Sequence, residues 1–336
     1  MSAQPPKWKA HLLRTSIPLE HEAARILSQG GFNVSANYPY YRIENGADKE
    51  FSVDLRGVWM LESHDHPHSG CVFDVLVECK YRDRGTTWIF LPEAKSRSSQ
   101  LHEAVQAVDA FSARFVHGRY SFKEEERIQI CYSAVEAGVS DSGGSDTSKK
   151  DRAFEAQLRH GARQLQYALP ALVALRARWV AFQEPDDNFP FFFLPLLLTN
   201  ARLLVASHDL SVSVVEAAEK LEELGTETPW LIWSAELGPD FNSHCQRQLA
   251  NLLPLAQTQN MRVIEERRKT AGLASWLQPS AIATRVAVDG AAASHIAEFT
   301  DLIVVNIASL PQLLQILRKA FEEMSKSLKD EPLWRG

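Results

Sequence analysis

Two long β-type runs, at 51–61 and 71–81, constrain the fold of this chain more than any other feature. The second, CVFDVLVECKY, is almost wholly apolar through Val77 and then turns to Glu78-Cys79-Lys80. The first, FSVDLRGVWML, is rich in aromatic and branched residues, and a polar stretch, Ser63-His64-Asp65-His66-Pro67-His68-Ser69-Gly70, separates the two. The pattern predicts an antiparallel hairpin. Side chains alternate along a strand, so Glu78 and Lys80 share one face and Cys79 takes the other. With the two runs paired, Asp54 approaches the face that carries Glu78 and Lys80.

Two carboxylates and an ammonium at one point define a chemistry. Facing carboxylates in a cleft poor in water repel, and one stays protonated unless a cation lies between them. Mg²⁺ is the expected cofactor, because it is hard, takes oxygen ligands and keeps its waters, and Mn²⁺ is expected to substitute. Lys80 would orient the attacking water and balance charge at phosphorus. Metal-assisted phosphodiester hydrolysis is the expected reaction.

The surrounding pattern is helix, strands, motif, strand, helix, strand. Residues 17–29 read as a helix, with Pro18 in the first turn, Glu20 and Glu22 at its positive end and Gly30-Gly31 as its stop. Short strands follow at 32–36 and 38–43, with Glu44-Asn45-Gly46 as a turn. After the motif come a strand at 87–91, a helix at 101–115 and a strand at 128–135.

Asp54 followed by Glu78-Cys79-Lys80 resembles the D…ExK half of the PD-(D/E)XK, or restriction-endonuclease-like, superfamily, and is similar to Mrr-type restriction nucleases and archaeal Holliday-junction resolvases. Glu20 on the opening helix, with Gly31-Phe32 downstream, matches the arrangement of those families. Val53 stands where the motif name has proline, and Glu22 competes with Glu20 for the helix role. The likeness spans 17–135. It implies a Mg²⁺-dependent endonuclease of bacterial defence or DNA processing, with Asp54 and Glu78 as metal ligands and Glu20 helping to hold the metal or its water. DNA is the implied partner, with a homodimer or a defence-system protein as further candidates. Two other readings stay open: a catalytically silent scaffold or binding module on the nuclease fold, and an RNA-directed nuclease.

The expected fold class is α/β, a mixed central sheet flanked by helices. The stretch 140–148, SDSGGSDTS, cannot supply a core-facing side. It marks a boundary between a core at 1–139 and an α/β region at 151–336 that extends or packs on it, with 140–150 as linker. A long loop between parts of one sheet is the alternative. Beyond it, 152–182 reads as helix kinked near Pro170, 191–206 as strands, 214–224 as helix, 230–233 as strand, 245–268 as helix, 302–306 as strand and 310–327 as an amphipathic helix.

A net charge of −6 gives the whole molecule no long-range attraction for nucleic acid, so phosphate binding has to be local. Arg82, Arg84, Lys95 and Arg97, around the motif strand, are candidates for it, and Gln106 is a candidate accessory group on the following helix. Arg159, Arg163, Arg176 and Arg178 form either a DNA-facing helix or an ordinary solvated face, the second being preferred. His64, Asp65, His66 and His68 are read as a polar hairpin tip before a zinc site. Trp230, Trp233 and Phe191-Phe192-Phe193 are read as core. Cys71, Cys79, Cys131 and Cys245 have neither finger nor framework spacing. With no secretory signal in the opening residues and prolines interrupting 189–206, the expectation is a soluble cytoplasmic protein.

Overall fold

The computed structural model describes residues 7–44, 46–62, 70–93, 98–100, 127–137, 147–180, 191–250 and 300–329. Helix α1 (Lys7–Arg14) leads into α2 (Ile17–Gln29), which begins with a proline in its first turn, as expected. It ends through Gly31, whose φ of 89° lets the Phe32 N–H donate back to the Leu27 carbonyl at 3.1 Å. Strands β1 (Asn33–Glu44), β2 (Ala47–Glu62) and β3 (Gly70–Lys80) then form an antiparallel meander. The two short strands expected before residue 44 are one strand, bent at Asn37 (φ 54°).

Next come β4 (Thr87–Pro92), β5 (Ser98–Gln100), β6 (Arg127–Ala137) and the long helix α3 (Thr147–Val180), which runs through Pro170. Strands β7 (Phe191–Thr199) and β8 (Arg202–Ala206) follow, then α4 (Val212–Ala217), β9 (Gly225–Glu227), β10 (Trp230–Ser234), α5 (Phe241–Ala250), β11 (Asp301–Asn306) and α6 (Leu310–Lys329). The helix expected at 214–224 is instead the short α4 and a separate 3-10 turn at Leu221–Leu224. The helix expected at 101–115, and Gln106 with it, lies outside the described residues. So do Lys95, Arg97 and the loop histidines.

The strands join one mixed sheet in the order β1-β2-β3-β7-β11-β10-β6-β4-β8-β9, with β5 beside β6. β7 lies parallel to β3 over Val72↔Phe191 to Lys80↔Thr199, and α3 crosses over to connect toward it. The strand beside β3 is therefore β7, and the strand expected at 128–135 is present as β6, four places from β3. The boundary expected at 140–150 does not divide the sheet: β6 and β4, from before it, are flanked by β10 and β8, from after it.

Helices cover both faces. On one, Phe32 at the end of α2 packs on Phe73 and Trp59, Arg318 of α6 lies over the Trp59 ring, and Leu19, Ala23 and Leu27 are buried. On the other, α3 presses on β3 and β7. The core beneath it draws on β7, where Leu194, Leu196, Leu197 and Leu198 are fully buried, as a strand covered on both faces requires. Trp233 and Phe193 are core residues, as the sequence suggests.

One acid in this interior is structural. Asp74 of β3 has no exposed surface and accepts from Arg56 (2.6 Å) and from Arg176 of α3 (2.6 Å). Arg176 is thus turned into the sheet and is no part of a DNA-facing surface. A buried charge left short of partners is expensive, so Arg176→Leu is expected to destabilise the protein by about 3 kcal/mol in urea unfolding. A loss below about 1 kcal/mol would mean that Arg56 alone satisfies Asp74.

Candidate active site

Asp54 sits where two ladders stop. On one side β1 and β2 pair at Ala36↔Leu55 and Tyr38↔Val53 but not at the kinked Asn37 opposite Asp54. On the other, the β2–β3 ladder ends at Leu55↔Val77, one residue short of bringing Asp54 opposite Glu78. The freed N–H of Cys79 donates to the Asp54 carboxylate, Oδ2, at 2.7 Å. The two carboxylates therefore come to the same end of the central hairpin, as the hairpin reading requires.

Glu78 and Lys80, two apart, share a face. The Lys80 ammonium donates to Glu78 Oε1 at 2.5 Å, while Glu78 Oε2 is buried with no hydrogen-bond partner. Both side chains lie beneath α3 at Gly161. A Cβ at that position would stand 2.7 Å from Lys80 Cε, 3.1 Å from Leu197 Cδ1 and 3.4 Å from Glu78 Cγ. Glycine in the middle of a helix lowers helix stability, and here it admits the ion pair under the backbone. Gly161→Val is expected to cost about 1–3 kcal/mol by overpacking, read as a lowered Tm; unchanged stability would mean that the helix has room to spare.

The third carboxylate arrives from α2. Its first turn is fastened to the end of β3, where the Tyr81 N–H donates to Ser16 Oγ at 3.4 Å. Burial raises the Glu20 pKa, the Asp54 charge raises it further, and Lys80 pulls it back, so Glu20 lies within the field of the same group. Glu22 points to solvent. Of the two helix acids, Glu20 is the partly buried one.

Burial dominates the electrostatics. It raises the pKa of Asp54 against the lowering effects of the Cys79 N–H and Lys80. It pushes Glu78 up to about 7, with the Asp54 charge adding to the rise and Lys80 opposing it. On α3 beside them, His160 has its pKa lowered by burial and by the cationic Lys80, Arg163 and Arg42. Gln164, one turn on, donates to the Ser52 carbonyl at 3.0 Å and keeps a buried Oε1 without a partner. Sequence reasoning placed the accessory polar group at Gln106 and did not single out His160, Gly161 or Gln164; a glycine inside a long helical pattern was the available signal.

The basic candidates separate. Arg82 is held by Glu136 (Nε to Oε2, 2.9 Å), donates to the Tyr81 carbonyl and lies over the Trp88 ring, which corrects its reading as a phosphate contact. Arg84 is exposed in the turn after β3.

Compared with protein-family models, with curated proteins and with solved structures, the chain matches none. Chemistry alone interprets the cluster. Among the described residues, no three His, Cys, Asp or Glu side chains are gathered closely enough to hold a metal ion. The donor types nevertheless suit Mg²⁺: two carboxylates at one strand end, one with a buried oxygen still lacking a partner. A bound divalent ion would supply what Glu78 Oε2 lacks.

The raised pKa of Glu78 links the site to stability. The fold favours the protonated carboxyl, so the contribution of Glu78 is intact below its ordinary 4.5 and is lost as pH climbs through about 7. In EDTA, the wild type is expected to lose up to about 3 kcal/mol relative to Glu78→Gln across that window. Parallel stability profiles for the two proteins would contradict it.

Proposed function

We propose that the chain is a Mg²⁺-dependent nuclease of the PD-(D/E)XK type that hydrolyses phosphodiester bonds in DNA. The observation that carries this reading is the approach of Asp54, Glu78 and Lys80 at the end of β3, where Glu78, bonded to Lys80 through one oxygen, keeps the other buried and without a partner. The setting of the motif supports it: α2 precedes the β1–β3 meander, and β7, which follows β4, β5, β6 and α3 in the chain, lies parallel to β3.

Asp54 and Glu78 would hold the ion, with Glu20 taking its water or a further coordination place. When bound, Mg²⁺ polarises the phosphodiester and makes water a better nucleophile. The protein's own share is positional. Lys80, held beside Glu78, orients the attacking water and balances charge growing at phosphorus. The overlying α3 excludes bulk solvent, which strengthens both interactions. Endonucleolytic action in bacterial defence or DNA processing is the role that goes with this chemistry.

The Lys80–Glu78 bond, already formed without a metal, favours a second reading in which the fold persists as a silent scaffold. Cleavage assays on duplex DNA, single-stranded DNA and RNA, with and without Mg²⁺, separate the readings. Lys80→Ala and Asp54→Ala are each expected to lower Mg²⁺-stimulated cleavage of DNA at least about 100-fold. Cleavage confined to RNA would redirect the substrate, and absence of stimulated cleavage on all three would leave the scaffold.

A further inference from the structure

The face of the sheet under α3 carries a second recess, lined by residues other than Glu78 and Lys80. It opens between α3, β6 and the end of β10, and its volume is about 60 Å³. Arg159 and Arg163 line it from α3, Tyr132 and Ser133 from β6, and Trp233 and Glu236 from β10 and the turn that follows. That space takes a few water-sized groups, enough for the oxygens of one small anion.

Two of its residues carry unmet hydrogen-bond donors. Arg163 Nε and Trp233 Nε1 are buried and have no partner, and the Trp233 side chain as a whole is only 4% exposed. A buried N–H without an acceptor costs about 1–3 kcal/mol, so both atoms are placed for an acceptor that the protein does not provide. Arg163 and Trp233 line the same recess, with the Arg159 guanidinium on the same wall, and a lining that carries guanidinium and indole N–H groups selects an oxyanion; a tetrahedral phosphate offers oxygens in several directions at once. Glu236 is exposed at the rim, where water screens its charge.

Helix α3 sets the distance. Gly161, whose Cβ would stand 2.7 Å from Lys80 Cε, adjoins Ala162 in the recess wall, and Arg163 follows it, so the recess and the Glu78–Lys80 pair flank one stretch of α3 on the same face. A helix is about 10 Å across, which at about 3.4 Å per nucleotide along a duplex strand corresponds to on the order of three nucleotides.

We propose that this recess is a phosphate-binding subsite, built on Arg163 and Trp233, that anchors the nucleic-acid backbone across α3 from the bond cut at Glu78 and Lys80. The proposal rests on the nuclease reading for its substrate, though its donors are independent of the catalytic residues. Arg159 and the hydroxyl of Ser133 add polar groups around the anion, and Tyr132, 55% exposed, borders its entrance.

The test compares wild type with Arg163→Gln, Arg163→Lys and Trp233→Phe, the last keeping a ring and losing the N–H. Binding of labelled duplex and single-stranded DNA is measured across a salt series in EDTA, and binding of inorganic phosphate by calorimetry. For Arg163→Gln the expected result is about a tenfold loss of DNA affinity with a salt slope reduced by about one, while Arg163→Lys keeps the slope. Trp233→Phe is expected to weaken binding about threefold without changing the slope. Wild-type affinity and slope in Arg163→Gln would overturn the subsite, even where Lys80-dependent cleavage stands. Arg163-dependent binding of inorganic phosphate with DNA affinity unmoved would also overturn it, assigning the recess to a free phosphorylated ligand. Arg163-dependent DNA binding without any Mg²⁺-stimulated cleavage would keep the subsite and sink the nuclease reading.

Discussion

One backbone donor, the N–H of Cys79, ties the two central strands together just past the point where their ladder stops. Because a carboxylate accepts it in place of a carbonyl, Asp54 is fixed at the strand end and brought next to Glu78. The rest of the cluster answers to that placement. Two acids at one buried point need a cation, and Lys80, two residues along the same face, provides the first. The ammonium and its stem need space under α3, and Gly161 leaves it.

Asp74 and Glu78 show how similar residues on one strand come to differ. Both are buried, and both face α3. Asp74 is gripped by two guanidiniums and has its acceptors filled, so it holds helix to sheet. Glu78 has a single ammonium and an idle oxygen, and burial makes its ionisation sensitive to what else enters the cleft. Completeness of hydrogen bonding, more than burial, distinguishes the strut from the reactive group.

Much of this was legible in the amino-acid sequence because it depends on local rules. The limits of α2 follow from Pro18 and Gly30-Gly31, and the face shared by Glu78 and Lys80 follows from strand alternation. The partner of β3 was not legible. Residues 191–199 announce a buried strand by their unbroken apolar run, but nothing in that run says that it lies beside Val72–Lys80, more than a hundred residues earlier. Arg82 failed for a similar reason: its carboxylate, Glu136, is 54 positions away. Asp74, a lone acid in an apolar strand, hinted at a buried cation without saying that Arg56 and Arg176 would supply it. The convergence of Asp54 on Glu78 was readable because a hairpin makes it a nearly local event.

The alternation of early and late strands across the sheet bears on how the chain can be made. As it leaves the ribosome, the β1–β3 meander is complete long before β7 exists, so one side of β3 waits with its peptide groups unmet. β6 waits in the same way for β10. Such distant pairings close large loops and fold slowly. Nascent chains of this protein therefore pass through a stage with an open, apolar strand edge, the kind of surface that holding chaperones shield and that crowded overexpression turns into aggregate.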